Sequence, residues 1–285
     1  MASIGIITDT NSGMSAEEAR QSGIILMPMP FTVDGREYIE NVNMSYGEFF
    51  EHLKSGAAVA TSQPSPDSVM KCWEEALKTY DRVIYIPMSS ALSSSCQSAR
   101  LFAEDFDGRV LVVDNRRISI SQKQSAYDAL YWRDQGLDAE QIVGELMETA
   151  LDASIYLTVD DLNYLKRGGR ISASVAAIGT VLHIKPVLQI QGGKLDTYKK
   201  VRGLKAAQTA MIDAIRHDLA TRFADIPVYL RTAYAGDPET GRQWNDHVQE
   251  LFPEYDVTGD ALPISISCHV GPGVIAMGIY RKIPG

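Results

Sequence analysis

The stretch "RVIYIPMSSALSSSCQSARLF", residues 82–102, passes from an apolar, β-branched run into a serine-rich segment and then into a helical pattern. Compact β-branched runs of this kind are typical of strands buried in parallel sheets. The pattern therefore predicts a strand over 83–87 and a helix that begins near Ser93. Ligands of open parallel sheets bind where the chain leaves the carboxyl ends of the strands, so the serine-rich segment is a candidate site.

Strand and helix signals alternate through the first half of the chain. "SIGIIT" (3–8) and "RVLVVD" (109–114) resemble the run at 83–87, and "IILMPMPFTV" (24–33) contains prolines that suit an edge or irregular strand. Helical patterns follow these runs at 93–106, 119–135 and 139–151, and earlier helices are predicted by the capping residues Ser45, Glu48 and Ser65. This order predicts an α/β N-terminal domain over 1–155, with three layers and a mostly parallel sheet.

The second half predicts a two-layer α+β domain over 156–285. "LKRGGR" (165–170) indicates a basic turn broken by glycines, and "SASVAAIGTVLHI" (172–184) indicates a helix of small residues. The other signals are a hairpin around Gly192-Gly193, a helix over 204–222, a strand over 226–236 and a helix over 238–252. "ISISCHVGPGVIAMGIYRK" (264–282) predicts two β arms around the turn Gly271-Pro272-Gly273.

Composition excludes several classes of protein. The 285 residues include 36 acidic and 27 basic side chains, a net charge of -9 that disfavours a general nucleic-acid role and anionic membrane surfaces. No stretch approaches the roughly 20 apolar residues of an integral membrane segment. The start "MASIGIITDT" lacks a basic segment followed by an apolar core, so export is not expected. Three widely spaced cysteines indicate free thiols in a reducing, cytoplasmic compartment.

Two hydroxyl-rich segments precede predicted helices. "ATSQPSPD" (60–67) carries Thr61 and Ser62, and the serine-rich segment carries Ser93 and Ser94. A helix N-terminus offers N–H groups without intrahelical partners and a partial positive charge, so added hydroxyls make an anion site. The alternative is that these serines only cap their helices.

A catalytic serine and a metal centre are weaker interpretations. Neither hydroxyl-rich segment has the G-x-S-x-G pattern of a nucleophile elbow. Of five histidines, His269 is the candidate for ligand binding, because the glycine turn after it lets backbone approach a ligand at Gly271. The alternative is a histidine satisfied within the core. Cys268 and His269 are rejected as metal ligands, because neighbours on a strand face opposite sides of the sheet.

With these residues assembled, the chain resembles the DegV family of bacterial fatty-acid-binding proteins from end to end. The shared motifs are "TDT" at 8–10, "TSQPS" at 61–65, "SSALSSSCQSA" at 89–99, "LKRGGRIS" at 165–172, "KP" at 185–186, "KKVRG" at 199–203 and "HVGPG" at 269–273. The sequence departs from the family at Ser94-Ser95, where Gly-Thr is common, which changes the shape of that turn.

The resemblance implies a site and a role. A long-chain fatty acid such as palmitate, stearate or oleate would lie in an apolar tunnel between the two domains. Its carboxylate would be held by Thr61, Ser62, Ser93 and His269, with Ser94 and Gly271 beside them. The protein would be a substrate carrier without a catalytic residue, metal or cofactor of its own, and it has no G-x-x-x-x-G-K-[ST] loop for ATP.

The family's partner is an ATP-dependent fatty acid kinase subunit, whose acyl phosphate product feeds phospholipid synthesis. The basic residues expected to contact it are Lys166, Arg167, Arg170 and Arg202. The alternative for these four is ordinary solvated charge. Two other functions stay open from the residues: a serine-dependent acyl hydrolase, and a lipid-sequestering module without a kinase partner.

Overall fold

The computed structural model describes residues 2–176, 178 and 184–283. The chain divides into two compact units. The N-terminal unit comprises Met1–Leu151 together with Pro263–Ser265, and the C-terminal unit comprises Asp152–Leu262 together with Ile266–Pro284. The division follows Leu151, whereas the sequence places the boundary after residue 155, because the strand Ala153–Thr158 belongs to the second unit over its whole length.

A parallel sheet forms the centre of the N-terminal unit. The strands of this unit are β1 (Ile4–Asp9), β2 (Ile25–Met27), β3 (Pro30–Val33), β4 (Arg36–Ile39), β5 (Val59–Thr61), β6 (Arg82–Ile86) and β7 (Val110–Val112). Its helices are α1 (Ala16–Ser22), α2 (Tyr46–Lys54), α3 (Pro66–Ala76), α4 (Ser95–Ala103), α5 (Ser119–Asp134) and α6 (Ala139–Glu148). Among the described residues the sheet has the order β2-β1-β6-β7, and each of its neighbouring pairs is parallel.

Helices cover both faces of this sheet because side chains alternate along each strand. Ile7, Val83 and Tyr85 pack into one buried cluster with side chains of α3 and α4. On the opposite face, Gln122 of α5 donates from Nε2 to Thr8 Oγ1 (3.1 Å) and to the carbonyl of Ile86 (3.3 Å). The predicted three-layer domain with a mostly parallel sheet is confirmed.

Local capping signals set the helix starts in this unit. Ser45 and Glu48 form a capping box at the start of α2, in which each side chain bonds the other residue's backbone N–H. Ser65 accepts the N–H of Ser68, with Pro66 in the first turn of α3. These two starts are as the sequence predicts.

A small antiparallel sheet in this unit is not predicted by the sequence. Its strand order is β4-β3-β5. The segment 24–33, predicted as one irregular strand, forms β2 in the parallel sheet and β3 in this second sheet. Pro28 separates the two strands, and a proline cannot donate a ladder hydrogen bond.

A mixed sheet forms one layer of the C-terminal unit. Its strands are β8 (Ala153–Thr158), β9 (Ile184–Ile190), β10 (Asp196–Arg202), β11 (Val228–Ala235), β12 (Thr258–Ala261) and β13 (Val274–Arg281). The helices are α7 (Leu162–Gly168), α8 (Ala173–Ala176), α9 (Leu204–Ala220), α10 (Pro238–Leu251) and α11 (Ile264–Val270). Across the described residues the strand order is β10-β9-β8-β13-β11-β12.

Two long helices form the second layer. Side chains of α9 and α10, such as Met211 and Trp244, pack into a buried cluster with Leu230 of β11 and Met277 of β13. The antiparallel β9–β10 hairpin contains Gly192-Gly193 in its loop, as predicted. The α+β prediction for this unit is confirmed.

The predicted C-terminal β hairpin is wrong. Residues 264–270 form α11, and only the second arm, β13, is a strand. β13 pairs with β8 on one side and with β11 on the other, so it has no free edge for another arm. A helix satisfies the backbone of residues 264–270 without a neighbouring strand.

The predicted basic turn over 165–170 is partly helical. Lys166 and Arg167 lie in the last turn of α7, and Gly169 ends that helix in the left-handed conformation (φ 67°). The predicted helix over 172–184 begins as α8. Ala177 and residues 179–183, which include His183, lie outside the described residues.

Candidate functional site

The segment that joins β6 to α4 is here called the serine loop, residues 88–94. The N–H groups of Leu92 and Ser93 both donate to the carbonyl of Ser89, at 3.0 and 3.1 Å. Ser93 Oγ accepts the N–H of Ser95 at 3.2 Å and lies 2.9 Å from Ser95 Oγ, to which it donates. Ser94 occupies the N-cap position without a side-chain capping bond. The predicted helix start near Ser93 is therefore confirmed, and the hydroxyl of Ser93 accepts the N–H of the first helical residue, Ser95.

The second hydroxyl cluster lies at the end of β5. Thr61 is half-buried in the strand and Ser62 is exposed just after it. Next to Ser62, the side-chain oxygen of Gln63 accepts a hydrogen bond from Ser98 Oγ of α4 at 3.1 Å. This bond connects the segment that follows β5 to α4, the helix that the serine loop precedes.

Two buried carboxylates, Asp9 and Asp114, accept hydrogen bonds from the backbone of the serine loop. Asp9, at the end of β1, accepts the N–H of Met88 (2.9 Å) and Nε2 of Gln122 (2.9 Å). Asp114, which follows β7, accepts the N–H of Ser90 at 3.1 Å. Burial raises the pKa of Asp9, although these hydrogen bonds act in the opposite direction. Asp9 and Asp114 thus fix the loop at the carboxyl ends of three neighbouring strands.

This arrangement limits what can bind an anion. Backbone N–H groups at 88–93 already have protein acceptors, so a ligand of this loop would be bonded by side-chain hydroxyls or by N–H groups at the start of α4. Residue patterns did not identify Asp9, Asp114 or Gln122. A signal for the two carboxylates was present, because "TDT" and "VVDN" each place an aspartate at or just after the end of a parallel strand.

A buried ion pair supports the same loop. The Arg117 guanidinium, 3.9 Å from the Asp128 carboxylate, also donates to the carbonyl of Thr149 at 2.6 Å. Burial raises the pKa of Asp128 to about 6, although Gln124 and Arg117 lower it. The carbonyl of Arg117 accepts the N–H of Ser89 at 2.9 Å, which connects this charged core to the serine loop.

Residues 263–265 belong to the N-terminal unit and form hydrogen bonds with two of its polar side chains. Ser265 Oγ donates to Asn11 Oδ1 at 2.7 Å, and the N–H of Ile264 donates to Glu40 Oε2 at 2.8 Å. Burial raises the pKa of Glu40 to about 7, and the bond from Ile264 only partly offsets it. Sequence patterns gave no indication of these contacts.

In the C-terminal unit, His269 lies in the last turn of α11, not at the end of a strand as predicted. Gly271 follows with φ 72°, and its N–H donates to the carbonyl of Ser267 at 2.9 Å. Burial, with the positive charge of Arg170 as a smaller cause, lowers the pKa of His269 to about 4. The imidazole is therefore neutral at pH 7 and has one N–H to donate.

The four basic residues differ in their surroundings. Lys166 is half-buried and donates from Nζ to the carbonyl of Ile178 at 3.0 Å. Arg167 lies over the ring of Tyr164 at 4.9 Å, and Arg170 donates to the carbonyl of Gly168 at 2.5 Å. Arg202 ends β10 and is exposed. Arg167, Arg170 and Arg202 are thus the three on the surface.

Thiol and metal chemistry find no support in the described residues. No disulfide joins the three cysteines, all of which lie in the described ranges, and burial raises the pKa of Cys72 to about 11 and of Cys96 to about 12, so neither of these two is a ready nucleophile. No group of three or more His, Cys, Asp or Glu side chains within the described ranges could hold a metal ion. Across those same ranges, no helix has the length and apolar character needed to cross a bilayer.

Comparisons with known proteins agree on one family. A profile described as "Uncharacterised protein, DegV family" matches residues 3–282. A DegV domain-containing protein from Deinococcus radiodurans is 30% identical over 278 residues, which cover 97% of this chain and 98% of the relative.

Solved structures match over the same length. A DegV family protein from Thermus thermophilus, described for its fatty acid binding, is 29% identical with a TM-score of 0.89, over 98% of this chain and 100% of its own. DegV from Bacillus subtilis, described as a fatty acid binding protein, is 26% identical with a TM-score of 0.89, over 99% and 100%.

Proposed function

This chain belongs to the DegV family, and on that premise we propose that it binds one long-chain fatty acid, such as palmitate, stearate or oleate. The relatives from Thermus thermophilus and Bacillus subtilis, described as binding fatty acids, align with almost its whole length. The observation that carries the proposal is the pair of hydroxyl-rich segments, one after β5 and one before α4, which the bond between Ser98 and Gln63 connects. Hydroxyl groups can donate charge-assisted hydrogen bonds to a carboxylate.

The acyl tail supplies most of the affinity. About 15 methylenes, each contributing roughly 0.8 kcal/mol on burial, give on the order of 12 kcal/mol before the cost of association. A carboxylate buried without partners would be very unfavourable, and each charge-assisted hydrogen bond offsets roughly 1.5–3 kcal/mol of that cost. The headgroup contacts therefore determine the orientation of the acid more than its affinity.

The proposed headgroup ligands in the N-terminal unit are Thr61, Ser62 and Ser93, with Ser94 beside them. Ser93 Oγ donates to Ser95 Oγ and not to a base, so a bound carboxylate would take over the hydrogen that Ser93 otherwise gives to Ser95. In the C-terminal unit, His269 is proposed as a neutral N–H donor. Gly271 is proposed to lie beside the headgroup without donating to it, since its N–H is bonded to the carbonyl of Ser267.

The proposed role is that of a substrate carrier in the cytoplasm, with no cofactor of its own. It presents the carboxylate to a separate ATP-dependent fatty acid kinase subunit, and the acyl phosphate formed there feeds phospholipid synthesis. Exposed Arg167, Arg170 and Arg202 support docking of an acidic partner on a chain whose net charge is -9. Lys166 is the weakest of the four proposed contacts, because its Nζ is bonded to Ile178.

Mass spectrometry of lipid extracted from the purified protein tests the binding proposal. We expect one C14–C18 fatty acid per chain. Extraction without lipid, together with no binding of added oleate or palmitate, refutes it.

Two further assays separate the proposed role from the other functions. Covalent labelling of Ser93 by a fluorophosphonate probe would identify a hydrolase. Fatty acid binding without capture of a kinase would identify a lipid-sequestering module.

A further inference from the structure

Adjacent glycines at the end of α7 serve different purposes. Gly169 has φ 67°, and a Cβ added there would meet no atom within 4 Å, so its glycine is required by the backbone alone. Gly168 has ordinary helical backbone, where alanine is normally preferred over glycine. The absence of a side chain at Gly168 therefore needs another cause.

That cause is the imidazole of His269. A Cβ added to Gly168 would lie 2.5 Å from Nδ1 of His269 and 3.3 Å from Cγ. Its distance from the histidine Cβ, 3.5 Å, is an ordinary van der Waals contact, so the clash is with the ring itself. The ring would have to turn away to accommodate even one methyl group.

The contact belongs to a series of three that begins just before α7 and ends at its last residue. Tyr164, one helical turn before Gly168, packs its ring where a side chain on Gly271 would lie. Asp160, four residues earlier again, fills the space beside Gly273 and bonds Nζ of Lys185 at 2.5 Å. Residues 160, 164 and 168 therefore meet 273, 271 and 269 in order, which fixes the helix against the segment that carries the histidine.

We propose that Gly168 is a positioning residue for His269, because the space left by its missing side chain determines where the imidazole lies and where its N–H points. The consequence for ligand binding rests on the proposed fatty acid binding. The geometric relation between the two residues does not, and the two are tested separately.

The test is a double-mutant cycle of Gly168→Ala, His269→Ala and the two combined, with oleate affinity as the first readout. We expect each single variant to bind oleate roughly tenfold more weakly, the equivalent of about one hydrogen bond. The double variant should bind as His269→Ala does, since the added methyl then meets no ring. Wild-type affinity in Gly168→Ala, or a second loss of the same factor in the double variant, overturns the proposal.

Two measurements test the geometric relation between Gly168 and His269 without a ligand. They apply even if neither the wild type nor any variant binds oleate, a result that would refute the proposed function and not the geometric relation. In Gly168→Ala, the NMR titration of the His269 ring should move up from a pKa of about 4 towards 6.5, because the displaced ring is less buried. The urea midpoint should fall in Gly168→Ala but rise when His269→Ala is also present. Gly144→Ala is the control, since a Cβ at this α6 position meets open space and should not lower the midpoint. An unchanged titration, or the same midpoint shift in both backgrounds, overturns the proposal.

Discussion

Replacement of Glu40 by glutamine should make the protein more stable at pH 8 and leave it unchanged at pH 4. Glutamine keeps an oxygen that can accept the N–H of Ile264, so the change removes only the charge. In the wild type, burial raises the pKa of this carboxyl from 4.5 to about 7. The folded state therefore holds a proton that the unfolded state has released, and stability falls as the pH rises through this window.

The size of the effect follows from the pKa shift. Each unit corresponds to 1.36 kcal/mol, so a shift of about 2.5 units gives at most about 3 kcal/mol in the free energy of unfolding. Glu40→Gln should exceed the wild type by up to this amount above pH 7, and the difference should vanish below about pH 4.5.

Urea denaturation between pH 4 and pH 8, followed by tryptophan fluorescence, measures this difference. Trp73 is buried in the same unit and reports its unfolding. Glu37→Gln is the matched control, since Glu37 lies three residues earlier on β4 and is exposed. A stability difference between Glu40→Gln and the wild type that is the same at pH 4 and pH 8 would refute the reasoning.

Three further predictions address the site and its support. His269→Ala should weaken oleate binding only about tenfold but slow phosphorylation much more, because phosphoryl transfer needs an aligned carboxylate. If a coupled kinase assay shows a loss of rate no larger than the loss of oleate affinity, this prediction is wrong. Arg170→Ala and Arg202→Ala should leave lipid binding intact and slow the kinase encounter, by a factor that shrinks across a salt series; loss of lipid first contradicts it. Arg117→Met should lower the free energy of unfolding, measured by urea titration, by about 3–5 kcal/mol, because the buried Asp128 carboxylate loses its cationic partner. Adding Asp128→Asn to this variant should recover part of the loss, since it removes the unpaired charge.

Local patterns predicted much of the fold. The apolar run 83–87, the Ser45–Glu48 capping box and the Gly192-Gly193 hairpin each depend on residues close in sequence, and each lies close to where it was predicted. The prediction for 264–270 failed because its alternating isoleucines and serines suit either state, and the decision depends on strands far away in sequence that occupy both edges of β13.

The candidate site was predictable only in part. Ser93 and Ser62 stand in hydroxyl-rich segments that the sequence displays directly. Asp9 and Gln122, by contrast, form a hydrogen bond between residues 113 positions apart, and no local pattern specifies such a pair. The requirement for glycine at 168 is likewise set by an imidazole in α11, and not by the backbone of α7.

The bonds that Ile264 and Ser265 make with Glu40 and Asn11 have a consequence for how the protein is made. Ser265 leaves the ribosome 254 residues after Asn11, which takes roughly 13–50 s at ordinary translation rates. During that interval the N-terminal unit can form its sheets. The side chains of Asn11 and Glu40, however, must wait for their partners Ser265 and Ile264 to be synthesised. A ribosome that stalls after residue 262 would therefore hold a unit with a nearly complete sequence and an unfinished interior, a natural substrate for chaperones.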